Sequence, residues 1–164
     1  MNDFIGSLNP QDLVFKTNNI EKLRIRSSVS STGALLFVNG GDMIVNGMTV
    51  GHGSGASSTN TAIGNSSLSA VLPNYLGLGQ GNTALGDHAL FANTTGQNNT
   101  ANGASSLYSN TTGYFNTANG ASSLYSNTTG WANTANGYLA LFANTTGPYN
   151  TANGYAALYY NGTG

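Results

Sequence analysis

Residues Asn99–Gly113 read NTANGASSLYSNTTG, and Asn116–Gly130 repeat that stretch letter for letter. Looser copies surround the pair. Asn-Thr-Ala-x-Gly begins at Asn60, Asn82, Asn99, Asn116, Asn133 and Asn150. The last five starts are 17 residues apart, and the first gap is 22, with five extra residues around VLPNYLG. A second marker, NTTG, begins at Asn93, Asn110, Asn127 and Asn144 and decays to NGTG at Asn161. A fixed period of this size marks a stacked architecture, in which each unit buries its apolar face against the next.

Aligning the regular units produces columns. One is Ala84, Ala101, Ala118, Ala135 and Ala152; another is Leu90, Leu107, Leu124, Leu141 and Leu158. The next is aromatic throughout: Phe91, Tyr108, Tyr125, Phe142 and Tyr159. Two glycine columns, one through Gly103 and one through Gly113, suit corners and oppose helix. The intervening runs, such as ASSLYS and YLALFA, are too short for stable helices and are expected to be strands. Parallel stacking would place like residues over like, with Asn and Thr side chains hydrogen-bonding along the axis. The expected fold is therefore all-β: a parallel β-solenoid or β-roll with one 17-residue unit per coil. A row of hairpins is the competing architecture. Asn-Gly, a strong type I′ turn signal, recurs at 102–103, 119–120, 136–137 and 153–154.

One Leu, one aromatic ring and one Ala per unit do not offset the entropy of ordering 17 residues, so no unit stands alone. Leu and the aromatic residue are adjacent, so in a strand they would face opposite ways. One would fill the coil and the other would leave an apolar stripe along the outside. A fibrous homotrimer is the simplest cover for such a stripe.

Composition narrows the function classes. Charged residues are 5% of the 164, and after Asp42 the only one is Asp87. Lys16, Lys22, Arg24 and Arg26 form the only basic cluster, with Glu21 inside it, and read as a solvated strand or helix face. Phosphate binding needs more clustered cations than that, so no nucleic acid is expected as a partner. The absence of cysteine excludes disulfides and thiolate metal sites. No run reaches the ~20 apolar residues of a membrane helix, so no membrane insertion is expected. The opening MNDFIGSLNP does not read as a signal peptide. Low charge with abundant Asn, Ser, Thr and Gly could signal disorder, but hydrophobic residues make up 39% and recur at fixed positions.

The repeat wording resembles a known family. NTAIG and NTALG, with a second Gly further on, look like the head repeats of trimeric autotransporter adhesins, and NTTG is similar to phage tail-fibre-like proteins. The resemblance covers residues 60–164 and implies a β-roll in a homotrimer. The adhesin unit is three residues shorter. The extra residues fall between NTAxG and NTTG, where a bulge or longer loop is implied. Asn102, Asn119, Asn136 and Asn153 also stand where the adhesin pattern has Ile. DLVFKTNNIEKLRI resembles the β element that precedes such repeats, and GDMIVNGMTVGHGSG resembles the approach to the roll. Leu13 and Phe15, then Leu23 and Ile25, alternate as strands do, followed by short apolar runs at Leu35–Val38 and Met43–Val45. The expected organisation is an N-terminal β element over 1–46, irregular leading coils over 47–81, and regular repeats over 82–164. The chain stops inside a repeat, and a C-terminal truncation is expected.

Little in the sequence reads as reaction chemistry, and no enzyme activity, cofactor or metal is expected. His52 and His88 are the only histidines. Adjacent Asp87 and His88 are expected to point apart, leaving no oriented base. The carboxylates Asp3, Asp12, Glu21, Asp42 and Asp87 are too scattered for a glycosidase pair. GLGQG at Gly77–Gly81 and GHGSG at Gly51–Gly55 lack the Lys-Ser/Thr of a phosphate loop and read as corners. NGGDM at Asn39–Met43 has too few oxygens for calcium. Acceptor triplets at Asn65, Asn93, Asn98, Asn110, Asn127, Asn144 and Asn161 would allow glycosylation at every turn in a eukaryotic secreted protein.

What varies between units points to a surface. Gln97-Asn98, Tyr114-Phe115, Trp131-Ala132 and Pro148-Tyr149 occupy one corner. Asp87-His88, Ala104-Ser105, Ala121-Ser122, Tyr138-Leu139 and Tyr155-Ala156 occupy another. Tyr114, Phe115, Trp131 and Tyr149 would line one edge, either packing between chains of a trimer or holding a cell-surface glycan or protein receptor. The expected role is a non-enzymatic adhesive fibre segment, extracellular, at a cell surface or on a virion tail. A phage tail-fibre shaft is the alternative. An ice-binding solenoid is a remote one, resting on the rank Thr83, Thr100, Thr117, Thr134 and Thr151.

Overall fold

A computed structural model describes residues 13–17, 20–25, 43–45, 48–54, 59–72 and 77–163. The chain divides into two compact units, 1–41 and 42–164. In the first, β1 (Leu13–Thr17) pairs antiparallel with β2 (Ile20–Ile25). The register sets Leu13 against Ile25 and Phe15 against Leu23, so the alternating apolar residues match across the pair. A register shift follows between Phe15 and Lys16, and Lys16 then pairs with Glu21. The expected run at Leu35–Val38 and the NGGDM segment before Met43 lie outside the described residues.

The second unit is built on one sheet of eight strands in spatial order β10-β9-β8-β7-β6-β5-β4-β3. β3 (Met43–Val45), β4 (Met48–Gly51) and β5 (Thr61–Gly64) form an antiparallel meander. From β5 onward every pairing is parallel: β6 (Thr83–Leu85), β7 (Thr100–Asn102), β8 (Thr117–Asn119), β9 (Thr134–Asn136) and β10 (Thr151–Asn153). Thr lies over Thr and Ala over Ala across all six strands. This is the all-β parallel solenoid with 17-residue coils, and parallel in-register pairing rules out a row of hairpins in this segment. The Asn-Gly pairs do not form hairpin turns either. Gly103 has φ +144°, and none of their asparagines has positive φ, whereas a type I′ turn needs both central residues near +60°.

Strand placement differs from expectation. ASSLYS and YLALFA are turns, and the only strand in each coil is Thr-Ala-x. The reason lies in the backbone at Leu. Leu68, Leu90, Leu107, Leu124, Leu141 and Leu158 all have φ between +48° and +51°. Ser105 and Ser122, two residues earlier, are left-handed as well. These bends make the whole stretch between Thr-Ala-x and NTTG turn, with no bulged strand in it. Left-handed Leu costs about 1–2 kcal/mol, and burying a Leu returns about 1.5–3. Leu68 to Leu141 are wholly buried, so burial wins. The bend also keeps the peptide groups parallel to the stack: Leu107 N–H donates to Ser123 O at 3.0 Å and Ser109 N–H to Tyr125 O at 3.0 Å. Leu158, in the last coil, is half exposed.

Between the Ala and Leu columns the interior is polar. Asn60, Asn82, Asn99, Asn116 and Asn133 are buried. Each carbonyl oxygen accepts the backbone N–H of the Asn one coil on, as Asn99 Oδ1 does from Asn116 at 3.0 Å. Asn93, Asn110, Asn127 and Asn144 form a second buried column, with Asn127 Nδ2 donating to Asn110 Oδ1 at 2.9 Å. The two columns meet at glycine carbonyls. Gly113 O accepts Asn99 Nδ2 at 2.8 Å and Asn110 Nδ2 at 3.0 Å. Buried amides are stable only when both ends are used, and stacking satisfies both. A Cβ on Gly113 would lie 2.3 Å from Asn110 Oδ1, so the close approach explains this glycine column.

Candidate functional site

Each coil carries aromatic residues at two places. The inner column, Phe91, Tyr108, Tyr125, Phe142 and Tyr159, is half-buried, with successive ring centroids 5.0–5.1 Å apart and planes within 11°. The rings cover one another's faces. The stripe left outside the Leu column is therefore largely covered by its own stacking, which sequence reasoning had assigned to a second surface.

The other place is the variable corner. Tyr114 is 39% exposed, Phe115 59% and Tyr149 71%, against a half-buried Trp131. Tyr114 stacks on Trp131 at 5.4 Å and 10°, while Trp131 meets Tyr149 edge-on at 4.3 Å and 67°. Phe115 stands edge-on to Tyr114 at 5.4 Å. All four expected edge residues thus form one contiguous surface. Phe115, Ala132 and Tyr149 share a left-handed backbone with Asn98, φ +53° to +60°.

At the Tyr114 end the edge runs into a groove of about 360 Å³, lined by Leu78, Thr95, Gln97, Asn98, Thr112, Tyr114 and Phe115. Leu78, Thr95, Gln97, Asn98 and Thr112 were not legible as a set. They come from successive coils, and only the stack brings them together. The single usable signal was Gln97-Asn98, a polar pair in a column that turns aromatic one coil later. Tyr138 and Tyr155, exposed and 5.7 Å apart at the other variable corner, were not singled out either.

Asp87 and His88 do not point apart. His88 Nδ1 lies 2.8 Å from Asp87 Oδ2 because His88 is left-handed, φ +55°, and the bend brings neighbouring side chains to one side. That hydrogen bond from His88 lowers the Asp87 pKa below the ordinary carboxylate range; partial desolvation opposes it, and Asn65 adds to the lowering. His88 also packs on Phe91 at 5.3 Å, at one end of the inner column. Among the described residues no cluster of three metal-ligating side chains occurs, and no helix is long and apolar enough to cross a membrane.

Other expected sites are placed as follows. Thr83, Thr100, Thr117 and Thr134 are half-buried and Thr151 exposed, in register along one face. Gly77, Gly79 and Gly81 of GLGQG have φ near +70°, as corners do. Glycosylation at every turn is excluded, because Asn93, Asn110, Asn127 and Asn144 are wholly buried with their amides bonded inside the coil. No protein-family model, curated protein or solved structure compared with this chain matches it. The solenoid therefore rests on its own geometry, and the likeness to adhesin heads rests on the wording of the repeat.

Proposed function

We propose that residues 42–164 act as a non-enzymatic attachment segment, a stack of polar coils that carries an aromatic contact edge outside a cell or on a virion. Trimeric adhesin heads and phage tail-fibre shafts are the two settings in which such a segment serves, both as homotrimers. The observation that carries this reading is the edge Tyr114, Phe115, Trp131 and Tyr149. These rings touch one another at mixed angles, yet Tyr114, Phe115 and Tyr149 remain exposed on a surface almost free of charge. Exposed contiguous aromatic patches mark interaction sites.

The test is adhesion of the full chain to a glycan array and to whole cells, with native mass measured in parallel. The double variant Trp131→Ala/Tyr149→Ala should lose binding while its circular dichroism is unchanged. A parent chain that binds neither surface leaves only a spacer role, and a monomeric mass removes the trimer.

A further inference from the structure

We propose that the groove beside Tyr114 is a subsite for a neutral hexopyranose, such as a galactose or glucose unit of a surface glycan. This rests on the attachment reading and names the chemistry of its ligand. Three observations carry it.

The first is an exposed aromatic wall, Tyr114 and Phe115. Tyr114 stacks one face on Trp131, and the residue one coil earlier in this column is Gln97, which has no ring. Tyr114, 39% exposed, lines the groove beside Gln97, with Phe115 set edge-on to it. The apolar C–H face of a pyranose packs on such a ring.

The second is the polar lining. Thr94, Thr111, Thr128 and Thr145 bond their hydroxyls to the carbonyl of the next coil, as Thr94 does to Thr111 O at 3.0 Å. Thr95 and Thr112, which line the groove, make no such side-chain bond to a described residue; neither do the Gln97 and Asn98 amides. Two amides and two hydroxyls supply both donors and acceptors, as a sugar's hydroxyls require. The volume, about 360 Å³, lies in the ~300–1,000 Å³ range of small-molecule sites.

The third is charge. No Lys or Arg occurs after Arg26, and Asp87 is the only charged residue after Asp42. A sialylated, sulfated or phosphorylated ligand would find no cation in the solenoid, whereas a neutral sugar needs none.

Saturation-transfer NMR of the full chain with methyl β-galactopyranoside and methyl β-glucopyranoside tests the assignment, with N-acetylneuraminic acid as the anionic comparison. Transfer should be strongest at the ring protons of one neutral sugar's apolar face, with Kd on the order of 1 mM. Phe115→Asn places in this column the residue that Asn98 already is one coil earlier, with the same left-handed backbone. It should fold normally and weaken binding about tenfold. Gln97→Leu should weaken it comparably, and Trp131→Phe should leave it intact. Equal binding by Phe115→Asn and the parent overturns the proposal, as does preference for N-acetylneuraminic acid. If the chain adheres to cells but neither neutral sugar shows transfer, the groove assignment fails and the attachment reading stands. If adhesion is absent too, both fail.

Discussion

Two sets of aromatic residues run along the same stack. Phe91, Tyr108, Tyr125, Phe142 and Tyr159 occur at one position in every regular coil and stack face to face at 5.0–5.1 Å. Tyr114, Phe115, Trp131 and Tyr149 occupy a corner where other coils place Gln, Asn, Ala or Pro, and their rings meet at mixed angles. The first set is aromatic because each ring needs its neighbour. The second is aromatic although the coil does not require it, since the Gln97-Asn98 coil stacks equally well. Regularity within a repeat thus points to stability, and departure from it to surface chemistry.

Asn127→Ala should break both sets at once. Asn127 lies between Tyr125 and Trp131, donates to Asn110 Oδ1 and Gly130 O, and accepts from Asn144 Nδ2. Its loss strands buried amide groups, at about 2–4 kcal/mol, read by denaturant unfolding. Tyr125→Ala and Tyr149→Ala sharpen the contrast. The first opens a gap in a continuous ring column and should cost about 2–3 kcal/mol, whereas the second removes a ring that is 71% exposed and should stay within about 0.5. Equal costs would abolish the distinction.

Ala132→Asn should stabilise by about 0.5–1 kcal/mol, because Asn tolerates the left-handed backbone that Ala132 holds at φ +54°. A higher melting temperature checks it. The smallest effect concerns Asp87. Its pKa is lowered on folding, so its contribution is complete above the ordinary carboxylate pKa of ~3.9 and is lost as pH falls through the lower folded value. Asp87→Asn should flatten that acid limb slightly and leave stability at pH 7 nearly unchanged, measured by melting temperature against pH.

Much of this was legible in the repeat. The Ala and Leu columns, the corner glycines and the parallel stacking follow from a 17-residue period, since identical units can share an environment only by lying over one another. The exposed edge followed from variation at Tyr114, Phe115, Trp131 and Tyr149. The path of the chain within a coil did not follow. Propensity reads ASSLYS as strand, and nothing local announces a left-handed Leu, because that conformation is unfavourable until a packed interior and a neighbouring coil compensate it. The Asp87–His88 contact was misread for the same reason, since it depends on a left-handed His88.

The order of residues along the chain, by itself, determined that like would lie over like, which side chains would recur in the core, and that the solenoid would carry almost no charge. Only the tertiary structure decided where each coil bends, that the inner rings cover themselves, and that Leu78, Thr95, Gln97, Asn98 and Thr112 meet Tyr114 in one groove. Periodicity specifies contacts between equivalent positions. Contacts between non-equivalent positions depend on the bend inside the coil, whose strain is balanced by burial and hydrogen bonds that arise once the coils are stacked.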